Sequence, residues 1–170
     1  MKILKDACDK AKNVKLIIFD VDGTLTDGKI YVGNDGELFK AFNCRDGLGI
    51  TAAHNAGLKT AIITGRTSTI TANRAAELGI SAVKQGQQDK RNAYNDLKSQ
   101  FNLTDAEVAY VGDDLNDLPV FTQVGFAAAV GDAAFELKQH ATFVAEKCGG
   151  DGAVREVIEF ILKVQGKWRF

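Results

Sequence analysis

Short, continuous apolar runs recur along the chain, and polar residues follow each of them. The first run covers residues 15–19 and ends at Asp20. Runs of this kind are typical of strands that are buried on both faces of a parallel sheet. The pattern therefore predicts strands at five places, namely 15–19, 60–63, 80–83, 108–111 and 125–130.

Helix-like stretches lie between and after these predicted strands. They cover residues 48–56, 68–78, 89–101, 115–123 and 153–164. Gly57 and Gly79 stand where helix-ending glycines are usual. Strands that alternate with helices of this length predict an α/β fold with a doubly wound parallel sheet.

One segment breaks this alternation between the first strand and the first long helix. Residues 29–33 and 37–42 read as two short strands, and Asn34-Asp35-Gly36 between them has the chemistry of a hairpin turn. The sequence thus predicts a small β-hairpin over residues 29–42. We find no repeat or linker, so residues 1–170 are expected to form one domain.

Composition and charge narrow the classes of function. The chain is 45% hydrophobic and 25% charged, which is ordinary for a globular protein. A net charge of −1 gives no sign of a nucleic-acid or anionic-membrane partner. Without a membrane-length apolar run or a signal-like start, and with three widely spaced cysteines, we expect a cytoplasmic protein that lacks disulfides.

Polar side chains follow four of the predicted strands, at the positions where ligands bind in open α/β sheets. They are Asp20 and Asp22 after the first strand, Thr64 after the second, Lys90 beyond the third, and Asp113, Asp114 and Asp117 after the fourth. Because the carboxyl ends of parallel strands meet at one edge, these side chains are expected to lie together.

The acids among them predict a metal site. Carboxylates held close together repel one another unless a cation lies among them. The donors are all oxygens, which favours Mg²⁺ over zinc. The expected ligands are Asp20, Asp113 and the backbone carbonyl of Asp22. Loop caps and a helix start would also explain these acids, but the agreement of four strand ends argues against that explanation.

The same residues predict phosphoryl transfer. Asp20 acts as the nucleophile and forms an acyl phosphate. Mg²⁺, Lys90, the Thr64 hydroxyl and backbone amides of residues 22–24 stabilise the phosphoryl oxygens. Asp22 protonates the leaving oxygen and later takes a proton from the attacking water.

Simpler explanations exist for several of these positions. Thr64 could be a helix N-cap, and Lys90 could be a solvated surface lysine. Asp117 could cap the first turn of a helix, and residues 149–152 could be only a turn.

The motifs resemble those of the haloacid dehalogenase superfamily of phosphatases. Residues 20–26, Asp-Val-Asp-Gly-Thr-Leu-Thr, follow its nucleophile signature, and Thr64, Lys90 and residues 112–117 match its other three motifs. The resemblance implies a Rossmann-like fold and Mg²⁺-dependent catalysis, with Asp114 and Asp117 supporting the metal site. Larger members carry a cap domain where this chain has only the 29–42 hairpin, so the chain resembles the cap-less branch.

Over residues 14–165 the chain further resembles the 3-deoxy-D-manno-octulosonate 8-phosphate (KDO 8-phosphate) phosphatases of bacterial lipopolysaccharide synthesis. Residues 43–49 look like the substrate loop of that family and residues 149–156 like its carboxyl-terminal signature. The resemblance implies contacts with a sugar-acid phosphate from Asp22, Asn43, Cys44, Arg45, Asp46, Gly47, Thr51, Arg66, Arg74 and Lys90.

Two arginines bear on the choice of substrate. A sibling family that acts on a nine-carbon acid phosphate lacks arginine at both the Arg45 and the Arg66 positions. Arginine binds carboxylates in bidentate fashion, so these side chains are expected to hold the substrate carboxylate. Thr51 lies one helical turn beyond Gly47 on the same face. Arg74, by resemblance, contacts substrate in the site of a neighbouring subunit.

Other functions remain open at this stage. The substrate could be a nine-carbon sugar-acid phosphate or a broad range of sugar phosphates. A phospho-accepting signalling domain also uses acids at strand ends, but it needs no acid–base aspartate at the Asp22 position, so Asp22 favours turnover.

The hairpin also bears on assembly. It is too small to cover a site, and Ile30, Val32, Leu38 and Phe42 make it apolar for a free-standing flap. Packing hairpins from several subunits together would bury these side chains, which predicts a homotetramer with shared sites. The alternative is a monomer whose hairpin folds back on its own helices.

Overall fold

The apolar runs form the centre of a seven-stranded sheet in the computed structural model, which describes residues 2–169. Within the described residues the strands are β1 (Lys2–Ile3), β2 (Leu16–Phe19), β3 (Tyr31–Gly33), β4 (Gly36–Phe39), β5 (Lys59–Ile63), β6 (Ala82–Lys84), β7 (Val108–Gly112), β8 (Phe126–Ala129) and β9 (Phe143–Val144). β3 and β4 form a separate two-stranded sheet, and the others form the seven-stranded one. The sheet order is β1-β9-β8-β7-β2-β5-β6, with β1 antiparallel to β9 and the other pairs parallel.

Helices cover the two faces of this sheet. They are α1 (Ala7–Asn13), α2 (Cys44–Asn55), α3 (Thr69–Glu77), α4 (Lys90–Gln100), α5 (Leu118–Phe121), α6 (Phe135–His140) and α7 (Ala153–Val164). α7 packs against α1 and α2, while α5 packs against α4 and α6. The predicted doubly wound α/β fold is confirmed. Within residues 2–169, none of the helices combines the length and the apolar character that a bilayer crossing requires.

The central strand β2 is inaccessible to solvent at all four of its residues. It lies between β5 and β7, and its last residue, Phe19, pairs with Ile62 on one side and Val111 on the other. This register aligns the carboxyl ends of the three strands, so the residues that follow them meet at one edge of the sheet.

The first long helix begins earlier than its pattern predicts. α2 starts at Cys44 because the side chain of Asn43 accepts a hydrogen bond from the Arg45 backbone N–H, as a helix N-cap does. The segment 43–49, which was predicted to be a loop, is therefore the start of a helix. Gly47 and Gly49 lower the helix propensity of this segment and conceal it in the sequence.

Several short elements also differ from the predictions. The helix predicted at 115–123 is a 3₁₀ turn at Leu115–Asp117 followed by the four-residue α5. α1, α6, β1 and β9 were not predicted as elements. A strand of two residues cannot show an alternating pattern, and β1 and β9 are each two residues long.

The predicted β-hairpin is confirmed, with shorter strands than expected. β3 and β4 pair antiparallel, and the rings of Tyr31 and Phe39 stack with their centres 4.2 Å apart. One prediction for this region was wrong, because Phe42 packs against the core rather than lining the hairpin. Phe39 is the exposed aromatic residue instead, at 45%.

Candidate active site

Side chains from four neighbouring strand ends converge at the carboxyl edge of the sheet. Asp113 follows β7, Asp20 follows β2, Thr64 follows β5, and Lys90 begins α4 after β6. Asp20, Thr64 and Lys90 are buried, with exposures of 4%, 2% and 0%. Thr64 is not a helix N-cap, since Ser68 caps the following helix, α3.

Lys90 is the buried cation of this cluster. Its Nζ lies 3.0 Å from Asp20 Oδ1 and 2.6 Å from Asp117 Oδ1. Burial would lower the pKa of Lys90, but the charges of the two aspartates raise it above its usual value. Lys90 therefore stays charged at the edge of the sheet and is not a solvated surface lysine.

Asp117 fixes Lys90 and the turn after β7 through hydrogen bonds to both of its carboxylate oxygens. Its Oδ1 also accepts a hydrogen bond from the Tyr110 hydroxyl at 2.7 Å. Its Oδ2 accepts from the backbone N–H groups of Asp113 and Asp114 at 3.0 and 3.3 Å. Both oxygens of Asp117 are thus engaged, and they fix Lys90 and the turn that carries Asp113. Asp114 is exposed and accepts from the Leu115 N–H.

Three carboxylates in this cluster are close enough to hold a metal ion. Within residues 2–169, oxygens of Asp20, Asp113 and Asp117 lie within 4.8 Å of one another. Burial and the charge of Asp117 raise the pKa of Asp20 to about 6. Burial and the charges of the other two acids raise the pKa of Asp113 to about 8. A cation among them would lower both pKa values, and oxygen donors suit a hard ion.

The contacts of Asp117 distinguish the three acids. Because its oxygens already accept hydrogen bonds from the protein, Asp20 and Asp113 are better placed to bind an ion directly. Asp113 is oriented by the Thr24 hydroxyl, which donates to its Oδ1 at 3.2 Å. That the Asp22 backbone carbonyl completes the ligand set stays a prediction.

The Asp22 side chain is held by cations from two other segments. Lys40, just beyond the hairpin strands, donates to Asp22 Oδ1, and Arg66 Nε lies 3.7 Å from Asp22 Oδ2. Glu37 of β4 contacts the same two cations. Lys40 and Glu37 were not predicted as site residues, because a pair of charges in a hairpin is equally well explained by contact with solvent.

The nucleophile loop closes against the predicted carboxyl-terminal signature. Gly149 approaches Gly23 so closely that a Cβ at position 149 would lie 1.7 Å from the Gly23 carbonyl oxygen. Gly150 N donates to Thr24 O, and Asn43 Nδ2 donates to Gly150 O, both at 3.1 Å. Residues 149–152 are therefore more than a turn, because they support the loop that carries the proposed nucleophile.

Asp46 occupies a different environment from the one expected of a substrate contact. It is 2% exposed, and its Oδ1 accepts from the Arg155 N–H at 2.7 Å, at the start of α7. Burial raises its pKa to about 6, although hydrogen bonds from α7 oppose the rise. In this structure Asp46 joins α2 to α7, and its contact with substrate stays a prediction.

The other predicted substrate residues lie along α2 and α3. Cys44, Arg45 and Thr51 are exposed on α2. Arg74 on α3 packs against Gly47, where a Cβ would lie 2.8 Å from its Nη2. Their contacts with substrate also stay predictions.

The sequence is similar to a known family of hydrolases. Residues 82–158 match the family of haloacid dehalogenase-like hydrolases. The chain is 49% identical over 162 residues to the 3-deoxy-D-manno-octulosonate 8-phosphate phosphatase KdsC of Escherichia coli K12, covering 95% of this chain and 86% of that protein.

Solved structures agree with this similarity. The phosphatase of the same name from Yersinia pestis superposes with a TM-score of 0.93 at 47% identity, covering 96% of this chain and 88% of that one. The Moraxella catarrhalis phosphatase, solved with magnesium, phosphate and KDO, also has a TM-score of 0.93, at 42% identity and with 96% and 94% coverage.

Proposed function

Because the chain belongs to the haloacid dehalogenase-like phosphatases, among the relatives of the KDO 8-phosphate phosphatases, we propose that it hydrolyses KDO 8-phosphate to KDO and phosphate. The observation that carries this proposal is the buried trio of Asp20, Lys90 and Asp117 beside Asp113. It puts a carboxylate nucleophile next to a fixed cation, at the edge of the sheet that substrate can reach.

The reaction we propose begins at Asp20. One of its carboxylate oxygens attacks phosphorus, the bond from phosphorus to the sugar oxygen breaks, and an aspartyl phosphate forms. Lys90 offsets the negative charge beside Asp20, and the Thr64 hydroxyl is available to a phosphoryl oxygen. Asp22 supplies the proton that the departing sugar oxygen requires.

Water completes the cycle. Asp22 takes a proton from the attacking water, the bond between phosphorus and the Asp20 oxygen breaks, and phosphate leaves. Asp20 and Asp113 would hold Mg²⁺, which neutralises charge on the phosphoryl oxygens when it is bound. The fit of these residues to a hard ion and the magnesium in the Moraxella catarrhalis structure support this assignment.

The exposed side of the site carries two arginines that could bind the carboxylate of a sugar acid. Arg66 is half-exposed beside Asp22, and Arg45 is exposed at the start of α2. A guanidinium group at the mouth can bind a carboxylate several carbons away from the phosphate. The KDO in the Moraxella catarrhalis complex supports an eight-carbon acid, and with it a cytoplasmic role in lipopolysaccharide precursor synthesis.

Arg66→Glu and Arg45→Ala should impair hydrolysis of the sugar-acid phosphate far more than hydrolysis of a small aryl phosphate. Loss of a charge-assisted pair from a desolvated site costs about 2–5 kcal/mol, or roughly 30-fold to several thousandfold in kcat/KM. The aryl phosphate has no carboxylate and never forms this pair. The measurement is kcat/KM for both substrates, together with the nine-carbon acid phosphate.

Arg91→Ala is the matched control. Arg91 on α4 is exposed and pairs with the N-cap residue Asp89 at 2.6 Å. Its replacement should leave kcat/KM for both substrates unchanged. Equal losses on both substrates in the Arg45 and Arg66 variants would assign these arginines to structure or to phosphate binding. A wild-type preference for the nine-carbon acid would replace the proposed substrate. Steady phosphate release by the wild type excludes a domain that only stores phosphate.

We also propose a homotetramer with shared sites. The hairpin exposes Val32, Leu38 and Phe39 by 70%, 64% and 45%, an apolar surface that other copies would cover. Light scattering should give the mass of four chains. Mixing inactive Asp20→Asn subunits with Arg74→Ala subunits should restore activity, because some sites then combine an intact Asp20 with a neighbour's intact Arg74. An active monomer, or mixtures without recovery, would contradict shared sites.

A further inference from the structure

The side chain of Lys40 is buried, with 3% of its surface exposed, although the residue as a whole is only partly buried. Its ammonium group contacts Asp22 Oδ1 and lies 3.0 Å from Glu37 Oε1. Burying a lysine is unfavourable unless its charge is paired. The local structure therefore specifies a cation directly beside the proposed acid–base residue.

Glu37 fixes this lysine to the rest of the site. It accepts a hydrogen bond from the Ser68 hydroxyl at the start of α3, and Arg66 Nη2 lies 3.7 Å from its Oε1. Burial favours the neutral form of Glu37, but the contacts with Ser68, Lys40 and Arg66 together hold its pKa below the usual value. The hairpin is thus connected to α3 through Glu37 and to Asp22 through Lys40.

We propose that Lys40 is a positioning residue that holds the Asp22 carboxyl group in place, so that its protonated form gives its proton to the leaving oxygen and becomes the carboxylate. This inference rests on the proposed phosphatase function. Asp22 follows the end of β2 in a loop, where its side chain can rotate. Lys40 engages Oδ1, whereas Oδ2 lies 3.7 Å from Arg66 Nε, beyond hydrogen-bond distance of that cation, and can carry the proton that is transferred. A misplacement of about 1 Å at a reacting group can cost about a hundredfold in rate.

The hairpin segment would then contribute to proton transfer by holding Asp22. Lys29, by contrast, lies beside the same hairpin, pairs with Asp27 and is 71% exposed. Lys29 and Lys40 lie at opposite ends of the hairpin segment, and of the two, Lys40 contacts Asp22. They therefore form a matched pair for a test.

The test measures how the rate depends on the leaving group. Wild type, Lys40→Met and Lys29→Met are assayed with carboxylate-free phosphates, from nitrophenyl phosphate through phenyl phosphate to alkyl phosphates. A nitrophenolate leaves without a proton, whereas an alkoxide needs one. Because kcat/KM covers only the steps up to departure of the leaving group, it reports the donation of this proton and not the later attack of water.

For Lys40→Met we expect kcat/KM to fall about 10- to 100-fold on alkyl phosphates, and less than about threefold on nitrophenyl phosphate. Lys40→Arg should recover part of the loss. Lys29→Met should follow the wild type along the whole series. If Lys40→Met does not fold, Lys40→Gln retains a polar head and serves in its place.

An equal loss on all leaving groups, or no loss, would overturn the inference. The first result would give Lys40 a structural role only, and the second would give it none in catalysis. Failure of the proposed function is a separate result that the wild type alone gives, namely no release of phosphate from KDO 8-phosphate.

Discussion

Asp20→Asn should abolish phosphate release and leave the fold intact. Asparagine nearly matches aspartate in shape but cannot form an acyl phosphate, and loss of a nucleophile typically costs more than about 10⁴-fold in kcat. Lys90 keeps its 2.6 Å contact with Asp117 in this variant, so its charge remains paired. Phosphate release from KDO 8-phosphate gives the activity, and thermal unfolding gives the stability.

The melting temperature of Asp20→Asn should change in a predictable direction. Folding raises the pKa of Asp20 from 3.8 to about 6, so above that pH the buried carboxylate destabilises the metal-free protein. Removing this charge should leave the melting temperature unchanged or raise it. Asp96→Asn on the exposed face of α4 is the control and should retain full activity. Activity above a few per cent in Asp20→Asn would rule out this nucleophile.

Removal of divalent metal should abolish activity, and added Mg²⁺ should restore it. Without the ion, the adjacent carboxyl groups of Asp20 and Asp113 have no cation between them, and their negative charge opposes an incoming phosphate. The ion binds the folded chain alone, so it should also raise the melting temperature. At 100 times its dissociation constant the stabilisation is about 2.7 kcal/mol.

Asp113→Asn separates binding of the ion from other salt effects. It should reduce the Mg²⁺-dependent rise in melting temperature, whereas the exposed Asp96→Asn should keep it. Full activity of metal-stripped protein in excess chelator would disprove the requirement for metal. The thermal measurement needs no substrate, so it tests the metal site even if KDO 8-phosphate is the wrong compound.

The sheet and its strand ends could be predicted because they follow from local patterns. A continuous apolar run such as 15–19 fits the burial of β2, and the parallel arrangement then brings Asp20, Thr64 and Asp113 to one edge. Neither step requires knowledge of how distant side chains pack. Most of the buried cluster was therefore accessible from the sequence.

The remaining features depend on contacts between distant segments. The Lys40 side chain pairs with the nearby Glu37 and also with Asp22, 18 residues earlier in the chain, and the local sequence gives no sign of this second contact. Asp46 was predicted as a substrate contact, and its hydrogen bond from the distant Arg155 N–H has no signal in the local sequence. The start of α2 was hidden by the low helix propensity of Gly47, and the close approach of Arg74 that leaves no room for a Cβ there is a contact that local propensity does not report.

The close approach of Gly149 to Gly23 has a consequence for the order in which the protein becomes functional during its synthesis. The loop bearing Asp20 leaves the ribosome early, but one neighbour of β2, the strand β7, spans residues 108–112 and must follow. Until then β2 has an unpaired edge, a feature that favours association with other chains. Even with Asp117 in place, the loop lacks its support until Gly149 and Gly150 have emerged. A nascent chain therefore contains all of its proposed catalytic side chains before it has a complete site to hold them.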